Sequence, residues 1–268
     1  MIDDARLAAL AAQGRTTLKH EPAAVVEVLG AGEHAVVVKT YHNRGGKLLQ
    51  TFWRRSRARR EHDHLRTIFD AGVPCLEPLG WRQRRRLGCV AESTLVTRLL
   101  PDSRPLKVVL QQIPRGTTGP VRARLAAAMG TLVGELHRRG VLWCTPMPRN
   151  VLVQGDAAAA RLAVCDTPAC IVVGHSLHGG RLAAVDLFLG AFSPSRRRDF
   201  SSVERWRWLL GYCAADRTTA RRLWRRLTHR RPLHNVVVRA LAMTWFTYIL
   251  GRFRSPHRPT ASRRTAAR

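Results

Sequence analysis

Apolar and polar positions follow two different periods along this chain, and the change-over divides it into two parts. Between residues 16 and 42 the apolar residues fall in short runs bounded by turn residues, which predicts strands at 16–20, 24–29 and 34–41, the last rich in Val. A short helix is expected before them, over 1–15. Residues 54–71 switch to helical spacing: Leu65, Ile68 and Phe69 share a face, Gly72 is placed as a C-cap, and Pro74 blocks continuation. Strand-like pieces at 89–91 and 94–99 precede Pro101.

Beyond Pro101 the helical period dominates. Helices are predicted at 106–113 and, Ala/Leu-rich, at 121–139, followed by a strand pair at 151–153 and 162–165. A loop containing Gly and His spans 172–180, and helices return at 181–192, 202–213, 217–229 and 234–250. The stretch 254–268 is rich in Pro, Ser, Thr and Arg and is expected to be a disordered basic tail. A β-rich part over 1–100 followed by a helical part over 101–253 predicts an α+β arrangement of two lobes with a cleft between them.

Charge changes the picture more than size does. The 268 residues carry a formal net charge of +28, which favours phosphate-rich partners such as nucleotides, nucleic acids or anionic lipid headgroups. Arg outnumbers Lys 42 to 4, so a bias toward Arg accounts for part of that excess, and each Lys gains interest because Arg serves wherever a generic cation is enough. The six cysteines form no CxxC pair and show no metal spacing, which predicts reduced thiols in a cytoplasmic protein. No basic region followed by an apolar run opens the sequence, so no signal peptide is expected, and no stretch of 18 apolar residues predicts a membrane span.

Four segments carry candidate chemistry. The first is Ala35-Val36-Val37-Val38-Lys39, a Val-rich strand ending in Lys, followed by Glu61 on the next predicted helix. The second, Leu136-His137-Arg138-Arg139-Gly140-Val141-Leu142, closes the long helix, and Pro148-Arg149-Asn150-Val151-Leu152-Val153 follows it. The last is Val164-Cys165-Asp166 at a strand end. Their order resembles that of a protein kinase. The stretches 57–65 and 71–74, with Trp206-Arg207-Trp208-Leu209-Leu210-Gly211-Tyr212, are similar to the lipopolysaccharide kinase family, which phosphorylates Kdo or heptose sugars.

That resemblance, over about residues 16–230, implies a bilobal protein-kinase-like fold with ATP and Mg²⁺ as cofactors. It implies Lys39 on the α- and β-phosphates, Glu61 paired with Lys39, and Asn150 with Asp166 as metal ligands. A catalytic-loop-like segment would lie at 141–153. Implied partners are a nucleotide and an acidic glycolipid or anionic membrane surface. The implied location is cytoplasmic, peripheral at the inner membrane.

Two departures stand against the pattern. Gly30-Ala31-Gly32 looks like a phosphate-covering loop, but only six residues separate Gly32 from Lys39. Such a loop needs a whole strand, a turn and most of a second strand before the Lys, a dozen residues or more at roughly 5–6 per strand. Gly30 and Gly32 are therefore expected in the turn between the second and third strands, and the phosphate-covering turn near 19–23, without glycine. The second departure bears on mechanism. Alignment on Arg149-Asn150 puts Thr145 where the catalytic Asp should be and Trp143 where the loop His lies. Between Asp102 and Asp156 the only acid is Glu135, on the preceding helix. A Thr hydroxyl orients a partner by hydrogen bonding but does not hold its proton near pH 7. Phosphoryl transfer depends more on positioning and charge than on a base, so the reaction is expected to be slow or lost.

Other signals are weaker. His175 and His178 lack Cys or carboxylate partners and are expected on an exposed loop. Asp186 either braces the catalytic loop or sits at the surface. Trp206, Trp208 and Trp224 have helical spacing and read as core. The Arg clusters are spread along the chain rather than concentrated on one element, and no RNA-binding or finger signature is present, so nucleic acid is not an expected partner. Residues 236–250 read as a last helix, with an interfacial membrane helix as the alternative. Three functions remain: a weak ATP:sugar phosphotransferase, a pseudokinase that binds nucleotide or a partner, and a basic membrane- or nucleic-acid-binding protein that retains only the fold.

Overall fold

In the computed structural model of the protein, residues 4–228 are described, apart from Trp53, Pro168, Gly174 and the segments 114–119, 157–158 and 194–198. The expected helix at 234–250 and tail at 254–268 lie outside the described residues. The first helix, α1 (Asp4–Gln13), leads into β1 (Arg15–Glu21), β2 (Ala24–Leu29) and β3 (Val36–His42). A short α2 (Gly46–Leu49) and the longer α3 (Arg57–Asp70) follow, and then β4 (Pro78–Arg86) and β5 (Cys89–Arg98). The five strands form one antiparallel sheet in the order β1-β2-β3-β5-β4. Strand β3 is buried on both faces at Val36, Val37 and Val38 and again at Tyr41, while Leu7 and Leu10 of α1 close a small core over Leu29 and Val96.

The turn readings hold. Gly30 (φ 84°) and Gly32 (φ 61°) lie between β2 and β3, in the left-handed region that favours glycine. The β1–β2 turn falls at Pro22-Ala23, after Glu21. Two strand predictions need correction: 89–91 and 94–99 are one continuous β5, and β4 was not foreseen.

Local chemistry sets α3. Ser56 caps it by accepting from the Arg59 N–H at 3.2 Å. At its far end the Gly72 N–H reaches the Phe69 carbonyl and the Val73 N–H reaches Ile68, a Schellman ending that Pro74 then prevents from continuing. Leu65 and Ile68 are fully buried, whereas Phe69 is 40% exposed and lies under the Arg66 guanidinium rather than on the core face.

The second part is mainly helical. It contains β6 (Ser103–Pro105), α4 (Leu106–Gln112), α5 (Pro120–Arg138), β7 (Val141–Leu142), β8 (Val151–Gln154), β9 (Arg161–Val164), β10 (Ile171–Val172), α6 (Ala183–Leu187), α7 (Ser202–Tyr212) and α8 (Arg217–Thr228). The helix expected over 181–192 is α only as far as Leu187 and continues as a π turn over Phe188–Phe192. Helices α5 and α7 approach with their backbones in contact. A Cβ on Gly130 would overlap the Trp208 carbonyl, and one on Gly211 the Ala127 carbonyl, so glycine is required at both. Trp208 is buried against this pair, while Trp206 and Trp224 are half-buried and meet edge to face.

The two parts are joined by main-chain bonds as well as by chain. The Leu76 N–H donates to the Val164 carbonyl at 2.9 Å and the Val164 N–H to Pro74 at 3.0 Å, so the segment after α3 pairs with the end of β9. That pairing holds the residues following β9 beside α3.

Candidate functional site

Lys39 on β3 and Glu61 on α3 are 22 residues apart in the chain and meet between the sheet and the helix. The ammonium Nζ donates to Glu61 Oε1 at 2.9 Å and to the Cys165 carbonyl at 3.0 Å. Tyr41, two residues along β3 and hence on the same face, donates its hydroxyl to Glu61 Oε2 at 2.6 Å. Glu61 is fully buried. Burial would raise its pKa, but the Lys39 charge and the Tyr41 hydrogen bond outweigh burial and hold the carboxyl below its ordinary range. Lys39 shows the mirror effect: burial works against its charge, and the negative charge of Glu61 overrides it and holds the ammonium well above its usual value. The pair is fixed and ionised. Tyr41 escaped the sequence reading, although the two-residue strand period from Lys39 pointed to it.

Asp166 lies two residues past β9, next to this pair. Burial, with the Glu61 charge, pushes its pKa up to about 6, against the lowering effect of Lys39. Its Oδ1 is buried and has no hydrogen-bond partner. The register Val151↔Val164 and the bond from the Cys165 N–H to the Asn150 carbonyl (3.0 Å) set Asn150 and Asp166 at the same open end of the β8–β9 hairpin. Asn150 donates its side-chain amide to the Thr145 carbonyl at 2.9 Å, so its side-chain carbonyl is the end available to a cation. A buried orphan carboxylate oxygen and an amide oxygen are hard donors of the kind Mg²⁺ takes, and that ion needs only one or two carboxylates besides phosphate and water. The residues present therefore fit the metal. Among the described residues no three His, Cys, Asp or Glu side chains cluster into a separate metal site.

The loop after β7 is held from beneath. Asp186, fully buried in α6, accepts from the main-chain N–H of Trp143 and of Cys144, each at 2.7 Å, and lies 3.1 Å from His137 Nε2. Of the two readings of Asp186, the brace is the one observed. Cys144 has φ 63°, a left-handed turn that these two bonds offset. Trp143 is completely buried, and its indole N–H donates to the Asp166 carbonyl at 3.1 Å. Thr145 sits in the loop as expected, but its Oγ1 is buried without a hydrogen-bond partner. The segment 141–153 contains no carboxylate.

Sequence reasoning also missed the ties between α3 and the segment after Asp166. His64 Nδ1 lies 2.9 Å from the Thr167 carbonyl, and Thr167 Oγ1 donates to the Glu61 carbonyl at 3.4 Å. His178 is not a loop decoration: it stacks on Tyr212 with centroids 4.4 Å apart and reaches the Tyr212 carbonyl at 2.8 Å, while His175 is exposed.

The family described as lipopolysaccharide kinase (Kdo/WaaP) matches residues 19–170. A solved structure of WaaP in complex with acyl carrier protein is similar over 88% of this chain and 91% of that chain, at 19% identity and a TM-score of 0.57, which shows a shared fold. The PknI kinase domain of Mycobacterium tuberculosis is similar over 79% of this chain and 92% of that one, at 12% identity and a TM-score of 0.44. No curated protein sequence matches the chain. Among the described residues, no helix is long and apolar enough to cross a membrane.

Proposed function

The chain belongs to the lipopolysaccharide kinase (Kdo/WaaP) family, and from that membership we propose that it binds ATP with Mg²⁺ and transfers phosphate, slowly at best, to a sugar hydroxyl of an acidic glycolipid. The observation that carries this reading is the buried Lys39–Glu61 ion pair, closed by Tyr41 and lying beside Asp166. Lys39 neutralises the α- and β-phosphates while Glu61 keeps it extended into the cleft. Asn150 and Asp166 hold the metal, which neutralises charge on the phosphate oxygens. Trp143 fixes the main chain at Asp166, and Asp186 fixes the loop that carries Thr145.

Thr145 sets the limit. Its hydroxyl is buried and takes no proton, and a positioned base contributes about 10²–10⁴-fold. The same observation favours a second reading, a pseudokinase that binds nucleotide without turnover. The basic chain acts, in the first reading, at the cytoplasmic face of the membrane that holds the glycolipid. Because the matched WaaP carries an acyl carrier protein, a pull-down with that carrier tests for a protein partner.

Thermal unfolding with and without ATP and Mg²⁺ tests the nucleotide site. Ligand at tens of times its Kd stabilises the fold by about 2 kcal/mol or more, and Lys39→Ala should abolish that ligand-induced shift. No shift in the native chain would leave only a basic binding protein that retains the fold.

A further inference from the structure

Three exposed apolar side chains meet at one end of the N-terminal sheet. Leu49, 72% exposed, closes α2; Phe52, 47% exposed, follows it; Leu87, 90% exposed, sits at the tip of the β4–β5 hairpin. These segments form one platform. The Phe52 ring packs on Gly88, where a Cβ would collide with it. Thr51 Oγ1 accepts from the Val90 N–H at 2.8 Å, and Arg85 donates to the Gly88 and Arg54 carbonyls at 2.6 and 2.7 Å. The platform is tied down, yet its apolar groups remain in water.

Leu87 breaks a local rule as well. Its φ of 48° is a left-handed conformation in which Asn or Gly is favoured and a branched side chain is strained. The segments that carry it are basic in sequence, with Arg82 and Arg84 paired to Asp4 and Glu92, and Arg55 and Arg57 to Asp63 and Glu61. Residues 43–60 and 78–91 together contain eleven Arg and Lys and no Asp or Glu. Arg84 and Arg86 flank the tip and are exposed. An apolar group on a protruding hairpin, with the exposed Arg86 beside it and a net excess of Arg in the two segments, matches an anionic bilayer: the guanidinium of Arg86 meets lipid phosphates and the leucines enter the acyl boundary. A protein socket would instead need a concave apolar pocket lined with acids.

The location suits a membrane-borne acceptor. Strand β5 starts at this tip and ends at Arg98, where the chain passes into the helical part, so the tip lies at the end of the sheet opposite that crossing. Lys39 pairs with Leu95 on β5, six residues from Cys89 or about 20 Å along the strand.

We propose that the α2 turn and the β4–β5 hairpin form a membrane-docking edge that seats Leu49, Phe52 and Leu87 in an anionic lipid surface. The inference rests on the reading that the acceptor is a glycolipid, and it names where the protein meets that lipid. Co-sedimentation of the full chain with vesicles of phosphatidylcholine, with and without phosphatidylglycerol, tests it. The native chain should bind the anionic vesicles. Leu87→Asn and Leu49→Ser should each weaken binding about tenfold, and Arg86→Gln about fivefold. Leu87→Asn should also leave the melting temperature unchanged or higher, because Asn relaxes the turn. Equal binding by the native chain and both leucine variants, or equal binding to neutral vesicles, overturns the proposal. So does light scattering that shows a dimer which the leucine variants dissociate, since that assigns the edge to a second copy. The ATP–Mg²⁺ thermal shift is read on the same samples: its absence removes the phosphotransfer reading, while loss of vesicle binding alone removes the docking edge.

Discussion

Between β3 and α3 the Glu61 carboxylate is held by side chains, whereas in the loop over 143–150 the bonds run to main-chain atoms. Lys39, Glu61 and Tyr41 satisfy one another directly. In the loop, Asp186 accepts from the N–H groups of Trp143 and Cys144, and Asn150 holds the carbonyl of Thr145, while the Thr145 hydroxyl itself has no partner. The β3–α3 contact therefore fails if one side chain is exchanged. The loop keeps its course whatever side chain stands at 145. A loop held through its main chain keeps its shape without an acidic side chain, and this explains how an acid-free loop coexists with an intact charge pair.

The sharpest way to break this comparison is to return a carboxylate to the loop. Thr145→Asp alters a side chain that makes no hydrogen bond and leaves the carbonyl held by Asn150 untouched. If the loop is otherwise competent, turnover of ATP with a lipopolysaccharide-core acceptor should rise about 10²–10⁴-fold. A folded variant with no gain would show that the loop has lost more than its base. Removing the brace tests the converse. Asp186→Ala leaves two buried N–H groups and His137 without their acceptor, and should cost about 3–5 kcal/mol in urea unfolding. Asp186→Asn, which keeps one acceptor oxygen, should cost less.

Asp166 belongs to neither side and responds to pH. Its carboxyl is raised to about 6 in the fold, chiefly by burial and by Glu61, above an ordinary value of 3.8. A raised acid contributes stability below the unfolded pKa and loses it as pH rises through the folded one. Asp166→Asn removes that loss, so at pH 8 the ligand-free variant should be more stable than the native chain by up to about 3 kcal/mol. The difference should shrink between pH 6 and pH 4 and vanish below. The same variant should lose the Mg²⁺ dependence of ATP binding. Thermal unfolding at four pH values, with and without nucleotide, measures both.

Much of this arrangement was legible in the sequence, and what was hidden has physical reasons. Strands β1 to β3 and helix α3 follow from periodicity and caps, and the order Lys39, Glu61, Asn150, Asp166 from the resemblance to a kinase. Strand β4 was hidden because it is an edge strand whose second half, Arg82 to Arg86, is exposed on most positions and carries no apolar alternation. The division at Leu187 was hidden because a π turn preserves apolar spacing while changing the bonding. The ties from His64 to Thr167 and from Trp143 to Asp166 span 103 and 23 residues and end on carbonyls. A main-chain acceptor has no residue type, so such bonds leave no signature in composition.

The smallest expected effect separates packing from bonding at Trp143. The indole is completely buried, so most of its worth is the area it removes from water, and its N–H adds one bond to the Asp166 carbonyl. Trp143→Phe keeps much of the ring and deletes that bond, which predicts a loss of about 1 kcal/mol in unfolding. If the bond also sets the main chain that carries the metal-binding carboxylate, the ATP–Mg²⁺ shift should fall while the shift with ATP alone stays as it was. Equal loss of both would mean that the indole only fills space, and that the loop and the charge pair are joined through Asn150 and the β8–β9 hairpin instead.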